Sequence, residues 1–99
     1  MHYCYILLSS KSPLFYVGST KDLKLRFSQH NQGLVKSTKA YLPWSLVWYS
    51  AFKTEKESRD FERYLKSGSG RAFAYKRLVS EALAKDFASG RRGSPKLIA

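Results

Sequence analysis

Four residues in the first third of the chain have side chains or backbone suited to holding and acting on a phosphate: Tyr16, Gly18, Arg26 and His30. Arg26 carries a planar fork of N–H donors that matches two phosphate oxygens. His30 changes charge near neutral pH and can carry a proton. In a helical stretch the two stand side by side, one turn apart. Gly18 lets a ligand approach the backbone closely, and Tyr16 offers a hydroxyl just before it. Each residue also has a plainer reading. Tyr16 can be a core aromatic whose hydroxyl finds a local partner. Arg26 is one of eighteen Lys and Arg. His30 can simply complement a helix C-terminus.

These residues need elements to position them. Phe15-Tyr16-Val17 is aromatic and β-branched, so Leu14–Gly18 reads as a strand that Gly18 ends. Tyr3–Leu8 alternates in the same way, with Tyr3, Tyr5 and Leu7 on one face and Cys4, Ile6 and Leu8 on the other. The turn Ser9-Ser10-Lys11-Ser12-Pro13 joins the two as an antiparallel hairpin. Ser19 or Thr20 can cap a helix over Asp22–Asn31, with Leu23 and Phe27 inward and Gln32-Gly33 as its stop. A polar connection from Val35 to Pro43 leads to a third strand, Trp44–Phe52. Thr54-x-x-Glu57 is a capping box for a second helix with Phe61 and Leu65 on its buried stripe. Ser67-Gly68-Ser69-Gly70 breaks it. Ala74, Leu78 and Ala82, with Val79 and Leu83, give a third helix that Gly90 closes. The order β-β-α-β-α-α predicts a mixed α/β (α+β) domain over residues 1–90, a three-stranded antiparallel sheet flanked by helices. Residues 91–99, with Arg91, Arg92 and Lys96, read as a basic disordered tail.

Composition narrows the function. Ninety-nine residues, 43% hydrophobic and 15% aromatic, suit one globular domain. Cys4 is the single cysteine, which excludes an intrachain disulfide and argues against a cysteine zinc site. The early apolar run Tyr5–Leu8 is too short for a signal peptide core or a membrane span, so a cytoplasmic protein is expected. Eighteen Lys and Arg against seven Asp and Glu leave a net charge of +11. Such a domain meets polyanions, because each phosphate contact releases condensed counterions. Lys36, Lys39, Lys66, Arg71, Lys76 and Arg77 are candidate phosphate contacts, adding affinity rather than sequence readout.

The order of these features resembles the GIY-YIG nuclease family. The resemblance rests on Tyr3-Cys4-Tyr5-Ile6-Leu7, then Tyr16-Val17-Gly18, then Asp22-Leu23 leading to Arg26 and His30. Ser37-Thr38-Lys39, Pro43-Trp44, Leu46-Val47 and the run Glu62-Arg63-Tyr64-Leu65-Lys66-Ser67-Gly68 resemble its small single-domain bacterial members, related to the nuclease module of the excision-repair subunit UvrC. Tyr3 and Cys4 stand where the family's name has glycine and isoleucine, and the only asparagine, Asn31, lies early rather than late. The resemblance implies a divalent-metal-dependent DNA endonuclease with Tyr5, Tyr16, Arg26, His30 and Glu62 in catalytic positions. Glu62 would be the ligand of Mg2+ or Mn2+. It also implies nucleic-acid contacts around Gly18, Thr38 and the lysines of the same segments, branched or damaged DNA as substrate, and a role in DNA repair, with a protein partner able to supply specificity.

On this reading either tyrosine can deprotonate or orient the attacking water, and a neighbouring cation such as Arg26 would favour the phenolate. Glu62 has a plain alternative as a surface partner of Lys66 one turn later. Two functional alternatives remain beside the enzyme: a non-catalytic DNA- or RNA-binding module of the same fold, and a ribosome-associated factor.

Overall fold

A computed structural model describes residues 1–88 and 95–98. The chain runs β1 (His2–Ser9), β2 (Leu14–Thr20), α1 (Leu23–Asn31), a short 3-10 turn (Lys39–Tyr41), β3 (Trp44–Phe52), α2 (Glu55–Lys66), α3 (Gly68–Phe73), a wide π-type turn (Ala74–Leu78), α4 (Ser80–Ala88) and β4 (Lys96–Ile98). The sheet order is β3-β1-β2-β4. β1 lies at its centre, antiparallel to both β2 and β3, while β4 runs parallel to β2.

The alternation in β1 divides the core in two. Cys4, Ile6 and Leu8 join Phe15 and Val17 under Leu65, Ala74 and Val79, so α2 and the segments after it cover that face. Tyr5 and Leu7 join Trp44, with Leu23 and Phe27 of α1 packed beside them on the opposite face. The mixed α/β class is as expected, but the sheet has four strands rather than three. The fourth comes from the segment read as a disordered tail. Leu97 packs against the first cluster and Ile98 against the second. The Lys96 N–H donates to the Pro13 carbonyl at 2.8 Å, and the Tyr75 hydroxyl to the Pro95 carbonyl at 2.9 Å. Two apolar residues in a polar segment carry too little periodicity to reveal such docking from sequence. Residues 91–94, and Gly90 as a helix stop, lie outside the described residues.

Three local expectations change. β2 continues through Gly18 to Thr20. Asp22 caps α1, its Oδ1 accepting the Leu25 N–H at 3.0 Å, while the Thr20 hydroxyl accepts the Asp22 N–H just before it. Ser67 alone separates α2 from α3, serving as C-cap of the first and N-cap of the second. Gly70 is no breaker but a contact point: a Cβ there would run into the Tyr64 carbonyl oxygen of α2. The capping box forms as read, with the Thr54 hydroxyl accepting the Glu57 N–H at 3.1 Å.

Candidate active site

β1 and β2 pair so that Tyr5 lies opposite Gly18, and Leu7 opposite Tyr16. Both tyrosines therefore project from the α1 face, over the bare backbone of Gly18. A Cβ at Gly18 would stand 2.5 Å from the Tyr5 hydroxyl oxygen and 2.9 Å from the Tyr16 ring. Glycine is needed here for space, since its φ lies outside the left-handed region.

Tyr5 is 1% exposed and its hydroxyl lies 2.8 Å from His30 Nε2. His30 is itself fully buried, and its Nδ1 lies 2.8 Å from the Thr38 hydroxyl. That hydroxyl donates its single proton to the Val35 carbonyl, so it must accept from His30 Nδ1–H. The tautomer follows: Nδ1 carries the hydrogen, and Nε2 accepts from Tyr5. Burial, seconded by the Arg26 guanidinium, holds His30 down to about 4, so the ring is neutral near pH 7. Burial also pushes the Tyr5 phenol above its usual value, and Tyr16 adds to the effect. Arg26 pulls the other way and does not prevail. At Tyr5 desolvation outweighs the neighbouring cation and favours the neutral phenol.

The Tyr16 ring lies 5.0 Å from His30, 6.2 Å from Tyr5 and 6.4 Å from Trp44, centroid to centroid. Trp44 in turn donates its indole N–H to the Thr38 carbonyl at 3.0 Å. Asn31 brackets the Trp44 backbone, accepting its N–H at 2.6 Å and donating to its carbonyl at 2.9 Å. The chain's only asparagine therefore acts as a brace for the connection that carries Thr38.

A cleft of about 420 Å³ opens where these groups meet α2. Tyr5, Tyr16, Gly18 and Arg26 line it from one side; Ser19, Arg59, Glu62, Arg63 and Lys66 line it from the other. Residues from both faces of a sheet share one cleft only around an edge. That edge is available because β4 pairs with β2 only at Leu14, Phe15 and Tyr16. Ser19 and Ser58 fasten α2 to this edge through hydroxyls 2.7 Å apart. Ser58 is fully buried.

Five catalytic candidates were read from sequence. The structure gathers Tyr5, Tyr16, Arg26 and Glu62 in the cleft, with His30 directly behind Tyr5. Of the nucleic-acid candidates, Gly18 and Lys66 line it. Lys36, Lys39, Arg71, Lys76 and Arg77 are exposed but stand outside its lining. Thr38 is fully buried, hydrogen-bonds His30 and stands outside the lining. Arg59 and Arg63 were not singled out. The signal for them was positional: residues 59, 62, 63 and 66 follow the helical spacing of a single α2 face.

Glu62 and Lys66 form an ion pair at 2.8 Å, with side chains 22% and 32% exposed. The surface-pair reading is therefore realised in geometry, inside the cleft. Among the described residues no group of three or more His, Cys, Asp and Glu could hold a metal. Among the described residues, Glu62 is the one carboxylate in the cleft lining. That donor set fits magnesium, which binds through one or two carboxylates, retained waters and substrate phosphate oxygens. It does not fit a metal held by protein alone.

Residues 1–76 match the model of the GIY-YIG catalytic domain. The chain belongs to the GIY-YIG family and carries its nuclease-type hydrolase domain. Within that family it is similar to small bacterial proteins called UPF0213. One from Bacillus licheniformis is 36% identical over 66 residues, 66% of this chain and 67% of that protein. One from Streptococcus agalactiae serotype V is 37% identical over 71 residues, covering 71% and 80%. One from Streptococcus pneumoniae serotype 4 is 34% identical over 65 residues, covering 65% of each. No helix among the described residues is long and apolar enough to cross a membrane.

Proposed function

We propose that this chain is a divalent-metal-dependent endonuclease hydrolysing DNA phosphodiester bonds. The observation that carries the reading is the shared cleft, with two tyrosines and Arg26 on one side and Glu62 among three cations on the other. Arg26 grips the scissile phosphate and meets the charge that grows on its oxygens; losing such a contact typically costs about 3–4 kcal/mol. Arg59, Arg63 and Lys66 carry the flanking backbone through the cleft.

The two tyrosines divide the work. The Tyr5 proton is committed to His30, and its hydroxyl is buried. Tyr16 is only partly buried at the cleft wall, so its hydroxyl oxygen accepts a hydrogen bond from the attacking water and orients it, and takes the water's proton only after giving up its own to solvent. The line Tyr5–His30–Thr38 fixes the floor beneath it. Glu62 would hold the cation, which when bound supplies positive charge against the leaving oxygen. Arg26, Arg59, Arg63 and Lys66 line the same cleft, so Glu62 would hold a divalent ion best once DNA phosphates offset their charge. Branched or damaged DNA and a role in repair are the setting that this reading favours, with specificity drawn from a protein partner and the cytoplasm as the place of action.

The test is nicking of supercoiled and branched DNA across a magnesium titration, for the wild type and Tyr16→Phe. Magnesium-dependent nicking that falls by orders of magnitude in the variant supports the assignment; equal rates refute the role of Tyr16. A second reading, a DNA-binding module without catalysis, is favoured by the Lys66 ammonium seated on Glu62. Tight, salt-dependent DNA binding with no nicking on any substrate would select it.

A further inference from the structure

A second, larger cleft of about 720 Å³ has no lining residue in common with the first, and nothing in the proposed reaction uses it. Its walls are the rings of Tyr3, Phe27 and Tyr49 with Leu46, and Lys21 and Lys24 stand among its lining residues. Tyr3 and Tyr49 approach at 6.5 Å between centroids with their planes tilted by 59°. Tyr49 is 55% exposed, unusual for so large an aromatic on a strand.

Both clefts draw lining residues from the α1 face of the sheet and from the stretch that leads into α1. Tyr3 precedes Tyr5 by two positions on β1, so both point to the same side of the sheet. Tyr49 pairs directly with Tyr5 across β1 and β3. Lys21 and Lys24 lie on the short stretch between Gly18 and Arg26. A strand of DNA held by Arg26 has Lys24 and Lys21 as the next cations toward this wall. The exposed Tyr49 ring and the half-buried Tyr3 ring, with two exposed lysines in the same cleft, form the kind of platform that unstacked bases use, since every base offers a π-face and every link a phosphate. Asp22 also lines this cleft, but its carboxylate caps α1 through the Leu25 N–H.

We infer that this cleft binds one unstacked nucleobase of the DNA strand, next to the phosphate held at Arg26. Tyr49 and Tyr3 supply the stacking surface, and Lys21 and Lys24 take the adjoining phosphates. The inference rests on the DNA reading above and adds to it a preference for single-stranded or frayed substrate.

The experiment measures binding without magnesium, so that cleavage plays no part. Affinities are compared at fixed salt for a single-stranded oligonucleotide, the same strand with one abasic position, and a blunt duplex, using wild type, Tyr49→Ala and Tyr49→Phe. A 2-aminopurine placed along the strand reports stacking. Expected are a single-strand affinity reduced about five- to hundredfold by Tyr49→Ala, restoration by Tyr49→Phe, an unchanged duplex affinity, and quenching of 2-aminopurine at one position. The abasic strand should bind wild type as weakly as the intact strand binds Tyr49→Ala. Equal affinity of Tyr49→Ala for the single strand overturns the inference. So does an equal loss on single strand and duplex, or a Tyr49-dependent dimer in sedimentation with no effect of the abasic position. Nicking preserved alongside any of those results leaves the nuclease reading standing. Base-dependent binding without nicking removes the nuclease reading alone.

Discussion

The Tyr5 hydroxyl donates to His30 Nε2 across 2.8 Å, tying the central strand to the first helix beneath the cleft. Strand pairing alone would leave α1 free to shift along the sheet. This bond, continued by His30 to Thr38, sets where Arg26 stands relative to the two tyrosines. It also makes a buried neutral histidine part of the fold's stability.

That burial predicts a pH dependence with a definite sign. His30 is held down to about 4 in the folded chain against 6.5 for the free side chain. Between those values the unfolded chain binds a proton that the folded chain does not. Stability therefore falls as pH drops through this window, by up to about 1.4 kcal/mol per pH unit, and this group contributes no slope above or below it. Urea unfolding from pH 7.5 to 4.5 measures the slope, and His30→Gln should flatten it. Thr38→Val leaves Nδ1–H without its acceptor and should cost about 1–3 kcal/mol at pH 7.5, while Thr38→Ser restores most of it. An unchanged pH profile in His30→Gln would assign the slope to other groups.

Gly18→Ala is the smallest change that enters the cleft. The new methyl would meet the Tyr5 hydroxyl and the Tyr16 ring, neither of which is free to move away. Overpacking of this kind costs about 1–3 kcal/mol, and displacing either tyrosine should cost more in nicking than in stability. Thermal unfolding and nicking rates measured together check the ratio. A fully active Gly18→Ala would show that the tyrosines need not hold their present positions.

Legibility in the sequence followed local pattern. The alternation in Tyr3–Leu8, the capping box at Thr54 and the third strand were readable because each is written in neighbouring residues. The roles of Thr38 and Asn31 were not. Both depend on where the Val35–Pro43 connection folds back, which no periodicity encodes. Arg59 and Arg63 shared a helical face with Glu62, but a basic chain offers many such faces. Which of the two tyrosines lies in the drier place was not legible either, because a sequence shows which charges are nearby and not how much water is removed. Residues Lys96–Ile98 read as tail because three residues cannot display a strand's pattern; their docking is a tertiary fact.

That docking gives its own test. Ending the chain after residue 94 removes Leu97 and Ile98 from the two core clusters and the pairing of β4 with Leu14, Phe15 and Tyr16. Both side chains are only partly buried, so the loss should be about 2–3 kcal/mol. For a domain this small that lowers the melting temperature by about 10 °C or more. Because Tyr16 forms part of the pairing, nicking should weaken as well. Unchanged melting would mean that the strand contributes nothing to the folded chain in solution.

The last prediction separates catalysis from binding through the Glu62–Lys66 pair. Glu62→Gln keeps the shape and removes the one carboxylate that the described residues give the cleft. If Glu62 holds the cation, nicking should fall at least about a hundredfold, and DNA affinity should hold or tighten as a charge repelling phosphate disappears. Lys66→Met then acts in the opposite sense. It frees Glu62 from an ammonium 2.8 Å away, so half-maximal nicking should need less magnesium, while DNA binding loses one phosphate contact. That loss lowers the slope of log affinity against log salt by about 0.9. If the pair is only structural, both variants cost a few tenths of a kcal/mol in stability, and neither shifts the magnesium requirement. Nicking rates and DNA affinities for the three proteins across magnesium and salt titrations decide between these outcomes. Undiminished nicking by Glu62→Gln would remove Glu62 from the metal site, because among the described residues the cleft lining offers no other carboxylate to take its place.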